Sequence, residues 1–496
     1  MTRRCVAVLV LLFLLVPLAA RADGLASALA RLEPFARRGM EEWKVPGMAV
    51  AVVRGGKVAW AKGFGTRRAG ADLPVTPDTI FQVGSTTKAF TVAVMATLVD
   101  EGVIDWDDRV APLFPDFALA DPWVTREFLV HDLFAQHSGM PPYAGDLQFL
   151  LGHGRDHVVE SMRHIAPASS FRDQFAYVNN LFVAGGMLEE LVADKPWETL
   201  MQERLLTPLG MTRSSLDEAG LTGAANGASL HVLVKGEAVP LAPGSLLLGW
   251  PYVAGPAGGL NSSALDMARW VAAQLGDGQL DGRRVFSEAS AAYMRTPRTP
   301  LMMGPHHAAY CQGWMRTELP RTDVVWHNGG TSGVCAFVGF SPALDAGIVV
   351  LTNLGHHKLA DAVGLQFFDL LSGNDGADWL AGFRPAGEEP APAEPAAPAE
   401  PGLAPDRYAG TYDNPVLGPL TAREEGGGLV VRLGEDGRVA ILLRREAGHA
   451  FVGDWPDIDP DDPAVHFDFQ VDGQGAVTGV IFREYNDDGC GEFTRR

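Results

Sequence analysis

The segment STTKAFTVAVMATLVDE occupies residues 85–101 and is the most informative stretch of the chain. Its apolar residues recur at helical spacing, and Gly102 is a suitable stop, so the segment predicts a helix. Residues three apart share one helix face. Ser85 and Lys88 are therefore predicted to lie side by side, at the positive end of the helix.

Strand-like runs flank this helix in the sequence. Met48 to Val53 and Lys57 to Lys62 alternate around a Gly-Gly turn, which predicts a hairpin. From residue 124 to about residue 270 the pattern is mostly helical. Strand character then returns in Asp323 to Trp326, Val334 to Phe340 and Gly347 to Thr352. The order predicts an α+β domain in which an antiparallel sheet carries a helical lobe at about residues 95–270.

The first 22 residues have the pattern of an export signal. Arg3-Arg4 supply a positive start, Val6 to Leu18 an apolar stretch, and Ala20-Arg21-Ala22 a small-residue cleavage site. Pro17 interrupts an apolar run that is already too short to span a bilayer. We expect cleavage after residue 22, no transmembrane anchor afterwards, and a periplasmic or secreted location.

The 496 residues are enough for about three structural units. One unit is predicted at residues 23–384. Residues 385–404 are mostly Pro, Ala and Glu and predict a semi-rigid linker. Residues 405–496 predict a small all-β barrel or sandwich. Its candidate strands are Leu429 to Leu433, Val439 to Leu443, His466 to Val471 and Val477 to Arg483.

Composition and cysteine content exclude several classes of protein. Hydrophobic residues make up 47% of the chain and charged residues 20%, as in an ordinary globular protein. The net charge of -20 argues against non-specific nucleic-acid binding. After signal cleavage three cysteines remain, and their spacing matches no zinc pattern. A disulfide between Cys311 and Cys335 stays open as an alternative to buried free thiols.

The pair Ser85 and Lys88 has the chemistry of an activated nucleophile. A serine hydroxyl needs a neighbouring base, and a lysine whose pKa is lowered by desolvation can be that base or assist it. An isolated SxxK match is, however, more often a capping serine followed by a solvated lysine.

Two further elements add polar groups to this pair. Tyr177 and Asn179 form a YxN tripeptide: a tyrosine can relay protons, and an asparagine amide can bind the amide of a substrate. His327-Asn328-Gly329-Gly330 follows a strand-like run, where glycines permit close approach of a ligand. A backbone N–H there can pair with that of Ser85 as an oxyanion hole. The alternative is a simple turn between two strands.

In this order the three motifs, SxxK, YxN and HxG, resemble those of the penicillin-recognising serine hydrolases. That family includes class C β-lactamases, D-alanyl-D-alanine carboxypeptidases, D-aminopeptidases and related esterases. The resemblance spans roughly residues 25–371. Further similar stretches are Gln136 to Pro141, Pro208 to Met211, Gly258 to Leu260 and Leu351 to Asn353.

The resemblance implies a sheet with helices on both faces, joined to a helical lobe, with the site between them. Ser85 would form the acyl-enzyme, Lys88 and Tyr177 would share the acid and base work, and Asn179 would orient the substrate amide. The N–H groups of Ser85 and Gly330 would hold the oxyanion, with His327 and Gly329 binding substrate. No metal or organic cofactor is implied. Which of Lys88 and Tyr177 takes the first proton stays open.

His327 departs from the most familiar members of the family, which usually carry lysine there to bind a free carboxylate. Histidine is largely neutral at pH 7. We therefore expect a hydrolase of amides or esters, such as D-amino-acid peptides or small esters, with weak or absent β-lactamase activity. The alternatives are a β-lactamase or D,D-carboxypeptidase, and a non-turnover penicillin-binding-like sensor or scaffold. The partner expected is a small-molecule or peptide substrate, with no nucleic acid.

The linker and the β-rich tail resemble the small lipocalin-like barrel that is appended to some exported members of this family. Two roles stay open for the tail: it limits substrate size by covering the cleft, or it is a tethered binding module. We hypothesise the first.

Overall fold

The computed structural model describes residues 24–384, 402–458 and 462–496. The predicted export signal and most of the predicted linker lie outside the described residues. The expectation of an α+β fold followed by a small barrel is confirmed: a large antiparallel sheet with helices occupies the first described range, and a closed β-barrel follows.

Eight strands build the large sheet, in the order β2-β1-β14-β13-β12-β11-β10-β9, with antiparallel neighbours. Three additional two-stranded ribbons lie outside it. The strands up to residue 352 are β1 (Gly47–Arg54), β2 (Lys57–Gly65), β3 (Ile80–Gln82), β4 (His231–Val234), β5 (Glu237–Pro240), β6 (Asn261–Ser263), β7 (Gln279–Leu280), β8 (Arg283–Arg284), β9 (Thr299–Met303), β10 (His306–Tyr310), β11 (Met315–Leu319), β12 (Thr322–Thr331), β13 (Val334–Ser341) and β14 (Ala346–Thr352).

Helices cover both faces of the sheet and form the lobe beside it. In the described part of the chain the α-helices are α1 (residues 24–42), α2 (Thr87–Asp100), α3 (Val110–Leu113), α4 (Pro122–Glu127), α5 (Leu147–Leu151), α6 (Arg155–Ser161), α7 (Asn179–Ala193), α8 (Trp197–Met201), α9 (Thr207–Leu209), α10 (Glu218–Thr222), α11 (Leu246–Val253), α12 (Ala264–Leu275), α13 (Glu288–Met294), α14 (Leu359–Ser372) and α15 (Trp379–Gly382).

The sequence of β1 explains why the sheet is covered on both sides. Ala49, Ala51 and Val53 belong to one hydrophobic core, which includes α2 and α12, whereas Met48, Val50 and Val52 belong to a second core with α1 and α14. Successive strand residues point to opposite faces, so an unbroken apolar strand needs cover on each. The sheet is therefore the central layer of a three-layer domain.

Some elements differ from the sequence-based prediction. The helix α1 and the edge strands β9 to β11 were not predicted. The stretch from His327 to Gly330 was expected at the end of a strand, but β12 continues through it to Thr331. Gly329 pairs with Ala336 and Gly330 with Cys335 of β13, so the turn comes only after these residues.

The C-terminal domain is a closed eight-stranded barrel, β15 to β22. Alternate residues of its third strand, Leu429, Val431 and Leu433, are buried, as expected when one face of each strand points into the barrel. Its strands are β15 (Gly410–Asp413), β16 (Leu420–Glu425), β17 (Gly428–Leu433), β18 (Val439–Ala447), β19 (Ala450–Asp454), β20 (Ala464–Val471), β21 (Val477–Phe482) and β22 (Glu492–Arg495).

The cysteines Cys311, Cys335 and Cys490 are free and buried, so the Cys311–Cys335 disulfide that the sequence left open is not formed. Across the described ranges, no cluster of three or more His, Cys, Asp or Glu side chains is arranged to hold a metal ion. Nor does any helix of those ranges have the length and apolar character needed to cross a membrane.

Candidate active site

Ser85 lies in a short 3₁₀ turn, Gly84–Thr86, that leads directly into α2. Gly84 has a φ of 52°, a left-handed conformation that glycine adopts without strain. The Thr87 hydroxyl donates to the Gly84 carbonyl at 2.7 Å and accepts from the Leu260 N–H at 3.2 Å. These bonds fix the turn and hold Ser85 half-buried at the start of the helix.

Lys88 lies fully buried, one helical turn beyond Ser85. Its Nζ atom is 3.0 Å from Ser85 Oγ, and 2.7 Å both from Asn179 Oδ1 and from the carbonyl oxygen of Ala257. Burial lowers the pKa of Lys88 to about 7, although the nearby Asp146 carboxyl opposes the shift. The amine is thus close to the serine hydroxyl and is easily deprotonated near neutral pH.

Asn179, the first residue of α7, joins Lys88 to a carboxyl group. Its amide oxygen accepts from Lys88, and its amide nitrogen donates to Asp146 Oδ2 at 2.6 Å. Burial raises the pKa of Asp146 to about 7, with a further contribution from the Asp488 carboxylate. Both halves of the Asn179 amide are therefore engaged within the protein.

Tyr177 packs beside the same lysine. Lys88 Nζ lies 4.9 Å from the centroid of the Tyr177 ring. Burial raises the pKa of Tyr177 above its ordinary value, and a hydrogen bond with Ser85 only partly offsets this effect. The phenol is therefore neutral near pH 7 and is a proton donor in the immediate surroundings of Ser85.

The glycines of β12 let this strand approach the Ser85 turn. A Cβ atom on Gly329 would lie 1.9 Å from the Val83 carbonyl oxygen, so a larger residue does not fit. At Gly330 a Cβ atom would meet nothing within 4 Å, because this residue faces the open cleft. A Cβ atom on Gly84 would lie 2.7 Å from the Gly330 nitrogen, so the Gly330 backbone lies against the turn that carries Ser85, where the oxyanion hole was predicted.

His327 is fully buried and lies behind Tyr177, with ring centroids 6.2 Å apart. Its Nε2 atom is 3.0 Å from Tyr310 Oη, and its Nδ1 atom is 2.5 Å from the Asn328 carbonyl oxygen. Burial lowers the pKa of His327 to about 3, and the Lys88 charge contributes to the shift. The imidazole is therefore neutral, with Nδ1–H donating to Asn328 and Nε2 accepting from Tyr310.

These groups meet at a cleft of about 790 Å³ between the sheet and the helical lobe. Of the predicted site residues, Ser85, Tyr177, Asn179, Gly329 and Gly330 line it, whereas Lys88 and His327 lie beneath its surface.

Two polar contacts lie among the residues that line the cleft. Trp250 Nε1 donates to Ser332 Oγ at 3.1 Å. Lys358 is paired with Asp361 at 3.5 Å.

The family-level comparisons agree with this geometry. The family model described as Beta-lactamase matches residues 32–366, which is more than half of the chain. The chain belongs to the Beta-lactamase family. The resemblance inferred from the SxxK, YxN and HxG motifs is thereby confirmed.

Relatives of this Beta-lactamase-family chain carry different names. An unguisins hydrolase of Aspergillus campestris is 32% identical over 337 residues, covering 63% of this chain and 59% of that protein. Penicillin-binding protein 4 of Amycolatopsis lactamdurans is 31% identical, covering 75% of this chain and 94% of that protein. The octameric penicillin-binding protein homologue from Pyrococcus abyssi has a TM-score of 0.63 at 22% identity, over 94% of this chain and all of that one, and shows the shared fold.

The barrel of this Beta-lactamase-family member is attached to the catalytic domain near the cleft. A model of a domain of unknown function (DUF3471) matches residues 394–492. The Gly145 N–H donates to Asp488 Oδ2 of the barrel at 3.0 Å. His153 Nε2 and His157 Nε2 lie 2.9 and 2.8 Å from carbonyl oxygens of barrel residues 417 and 416. The barrel therefore contacts the loop that carries Asp146.

Sequence reasoning missed Asp146, Asp488 and Tyr310. Asp146 directly precedes the apolar run of α5, a position where an acidic residue usually caps a helix, so the pattern gave no sign of a role in the site. Asp488 approaches the cleft from the C-terminal barrel, which no local pattern could reveal. Tyr310 lies on the unpredicted strand β10, and only the strand order brings it to His327.

Proposed function

We propose that the protein is an exported serine hydrolase that cleaves amide or ester bonds through an acyl-enzyme on Ser85. The observation that carries the proposal is the 3.0 Å distance between Lys88 Nζ and Ser85 Oγ at the wall of an open cleft. Membership of the Beta-lactamase family and relatives named as hydrolases support it. Export rests on the signal pattern of residues 1–22 alone.

Lys88 is the proposed first base. A neutral lysine amine has two N–H groups and one lone pair. Asn179 Oδ1 and the Ala257 carbonyl oxygen, both at 2.7 Å, accept the two N–H groups. The lone pair is then left for the Ser85 hydroxyl proton. Tyr177 is the weaker candidate for this step, because burial raises the pKa of its phenol and keeps it protonated.

In the proposed acylation step, the Ser85 proton passes to Lys88 as the Oγ–carbon bond forms. The backbone N–H groups of Ser85 and Gly330 are suited to stabilise the resulting oxyanion. When the scissile bond breaks, the leaving group takes a proton from the Tyr177 hydroxyl, and Lys88 returns its proton to Tyr177. A water molecule then attacks the ester carbonyl and gives one proton to Lys88. When the bond between the acyl carbon and Ser85 Oγ breaks, Lys88 passes that proton to Ser85 Oγ, and the acid product is released.

D-amino-acid peptides and small esters are the proposed substrates. Because the buried His327 is neutral, it supplies no positive charge for a substrate carboxylate. The Lys358 cation that lines the cleft is already paired with Asp361. Penicillins, which carry such a carboxylate, are accordingly expected to be poor substrates.

The test is turnover of p-nitrophenyl esters, D- and L-alanyl p-nitroanilides and nitrocefin by the mature protein. Ser85→Ala should abolish turnover, whereas Ser372→Ala at the end of α14 should not. Mass spectrometry of quenched reactions should find the acyl group on the peptide that contains Ser85. Efficient nitrocefin turnover would favour a β-lactamase, and a stable acyl adduct without turnover would favour a sensor.

A further inference from the structure

Gln82 is a buried glutamine that joins the two chain segments expected to form the oxyanion hole. It lies in β3, three residues before Ser85. Its amide oxygen accepts a hydrogen bond from the Thr331 hydroxyl at 2.8 Å. Thr331 directly follows Gly330, which is proposed to supply one of the two oxyanion N–H groups. The Gln82 side chain therefore connects the segment that carries one of these groups to the segment that carries the other.

The nitrogen of the same amide is anchored on α11. Gln82 Nε2 donates to the Leu248 carbonyl oxygen at 3.0 Å and to Tyr252 Oη at 3.2 Å. A carbonyl oxygen can only accept a hydrogen bond, so the contact with Leu248 fixes which end of the amide is the nitrogen. The amide oxygen must then face Thr331. Both polar atoms of the side chain are thus committed to holding their neighbours.

Tyr252 links this amide to the strand that lies opposite. Its hydroxyl donates to Asn261 Oδ1 at 2.7 Å, and Asn261 is the direct partner of Gln82 in the β3–β6 ribbon. Burial raises the pKa of Tyr252 to about 12, so the phenol keeps the proton that it donates. Asn261 Nδ2 donates to Ser215 Oγ at 3.0 Å and to the Asp217 carbonyl oxygen at 2.7 Å. The amide that reaches Thr331 is therefore itself held in place by a network of hydrogen bonds.

The ladder between β12 and β13 leaves the Gly330 N–H directed away from β13. In an antiparallel pair, two opposite residues exchange both backbone hydrogen bonds or neither. Gly330 lies opposite Cys335, whose N–H donates instead to Thr352 Oγ1 at 3.2 Å. The two residues are therefore a pair without mutual bonds. The Gly330 nitrogen lies against the turn that carries Ser85, so its N–H is suited to bind an oxyanion.

The end of β12 needs support on the side that faces the cleft. Among the described strands, β11 pairs with β12 only as far as Trp326, so the end of β12 has β13 as its single ladder partner. Side chains hold the other side. Thr331 donates to Gln82, and the Ser332 hydroxyl accepts from Trp250 Nε1 at 3.1 Å. The contact with Gln82 acts on the residue next to the oxyanion N–H group.

We propose that Gln82 is a positioning residue for the oxyanion hole: by holding Thr331, it fixes the Gly330 N–H relative to the N–H of Ser85. This role rests on the proposed hydrolase function, because an oxyanion forms only if Ser85 attacks a carbonyl. Two N–H groups stabilise the transition state fully only when both point at the same oxygen. Loss of the contact between Gln82 and Thr331 misaligns one of them without removing it.

The first test compares ester hydrolysis by Gln82→Met and Thr331→Val with that by the wild type. Each substitution keeps the approximate shape of the side chain and removes one end of the hydrogen bond. For p-nitrophenyl butyrate, kcat should fall about tenfold in each variant, whereas KM should change by less than about twofold. Thr331→Ser, which keeps the hydroxyl, should recover most of the loss. Gln202→Met removes an exposed amide bonded to Thr207 and should behave as the wild type.

The double variant and a boronic acid distinguish positioning from a loss of folded protein. Because both substitutions remove the same bond, the double variant should be no more than about twofold worse than the weaker single variant. Phenylboronic acid bonds through boron to Ser85 Oγ, the hydroxyl proton passes to Lys88, and one boron oxygen occupies the oxyanion hole. Its inhibition constant does not depend on the amount of folded protein and should rise about tenfold in Gln82→Met and Thr331→Val. An unchanged inhibition constant, or losses that multiply in the double variant, overturns the proposal.

The third measurement does not depend on turnover. Hydrogen exchange with mass spectrometry follows the backbone amides of residues 328–333. They should exchange about threefold faster in Gln82→Met and Thr331→Val than in the wild type or Gln202→Met. If the wild type hydrolyses no ester and binds no boronic acid but this difference is found, the hydrolase proposal fails, and the positioning of Gly330 by Gln82 stands. Equal exchange in all four proteins means that Gln82 does not fix the end of β12.

Discussion

Lys88 Nζ lies 3.0 Å from Ser85 Oγ inside the protein, and burial lowers the pKa of this lysine to about 7. A base must be deprotonated to accept the serine proton. Below pH 7 most Lys88 carries a proton, and above pH 7 most is neutral. We therefore expect kcat/KM for a neutral p-nitrophenyl ester to rise with pH through about 7 and then level off.

Substitution of Lys88 tests whether ionisation of this residue causes the rise in kcat/KM through about pH 7. Lys88→Arg keeps the positive charge but cannot release a proton, so activity should fall by about 100-fold or more. Lys195→Arg, at an exposed lysine paired with Glu203, is the control and should retain wild-type activity. An ionisation near 10 in the pH profile, or an active Lys88→Arg protein, would exclude Lys88 as the base.

The close packing of β12 on the Ser85 turn gives a second prediction. Gly329→Ala places a methyl group against the Val83 carbonyl, so the strand must move away from Ser85. We expect a loss of about 100-fold in kcat/KM, because even a small displacement of a positioned group lowers the reaction rate strongly. Gly330→Ala, one residue along the same strand, meets no atom within 4 Å and should lose much less. Equal losses in the two variants would contradict this account of the strand.

Local patterns predicted the order of strands and helices and the adjacency of Ser85 and Lys88, whereas the helices on both faces of the sheet were implied only by the family resemblance. The unbroken apolar sequence of β1 requires cover on both faces, and Ser85 and Lys88 are neighbours by helix geometry alone. The surroundings of His327 could not be predicted, because they depend on Tyr310 from another strand. Asp488 reaches the Asp146 loop only because the barrel docks there. Long-range contacts of this kind leave no periodic signal in a sequence.

His327 should act through its hydrogen bonds and not through charge. The pKa of about 3 keeps the imidazole neutral over the working pH range. His327→Gln offers Tyr310 an acceptor and should keep the pH profile of the wild type, with a modest loss of kcat. His327→Phe leaves the buried Tyr310 hydroxyl without its acceptor and should lose more activity and stability. If kcat/KM of His327→Gln no longer fell below about pH 7, the histidine itself would be the group that titrates.

Glu189 provides a prediction about stability. It is fully buried in α7, and burial raises its pKa well above 4.5, the ordinary value. The unfolded chain releases this proton near pH 4.5, whereas the folded protein retains it, so stability falls as the pH rises above that value. Glu189→Gln removes this penalty and should stabilise the protein at pH 8 by about 1–3 kcal/mol.

The measurement for Glu189→Gln is urea unfolding at pH 8 and pH 5, with the exposed Glu160→Gln as the matched control. The gain should shrink at pH 5, where less of the unfolded-state carboxyl is ionised, and Glu160→Gln should change little at either pH. A gain of equal size at both pH values would show that proton uptake is not its cause.

Asp146 and Asp488 should shift the activity profile in opposite directions. The Asp146 carboxylate raises the pKa of Lys88. In Asp146→Asn, kcat/KM should therefore rise at a lower pH than in the wild type. The Asp488 carboxylate raises the pKa of Asp146. In Asp488→Asn, Asp146 should ionise more readily and raise the pKa of Lys88 further. The rise in kcat/KM should then occur at a higher pH than in the wild type. Profiles of kcat/KM for a neutral ester in the two variants decide this, and shifts of the same sign would exclude electrostatic coupling between the barrel and Lys88.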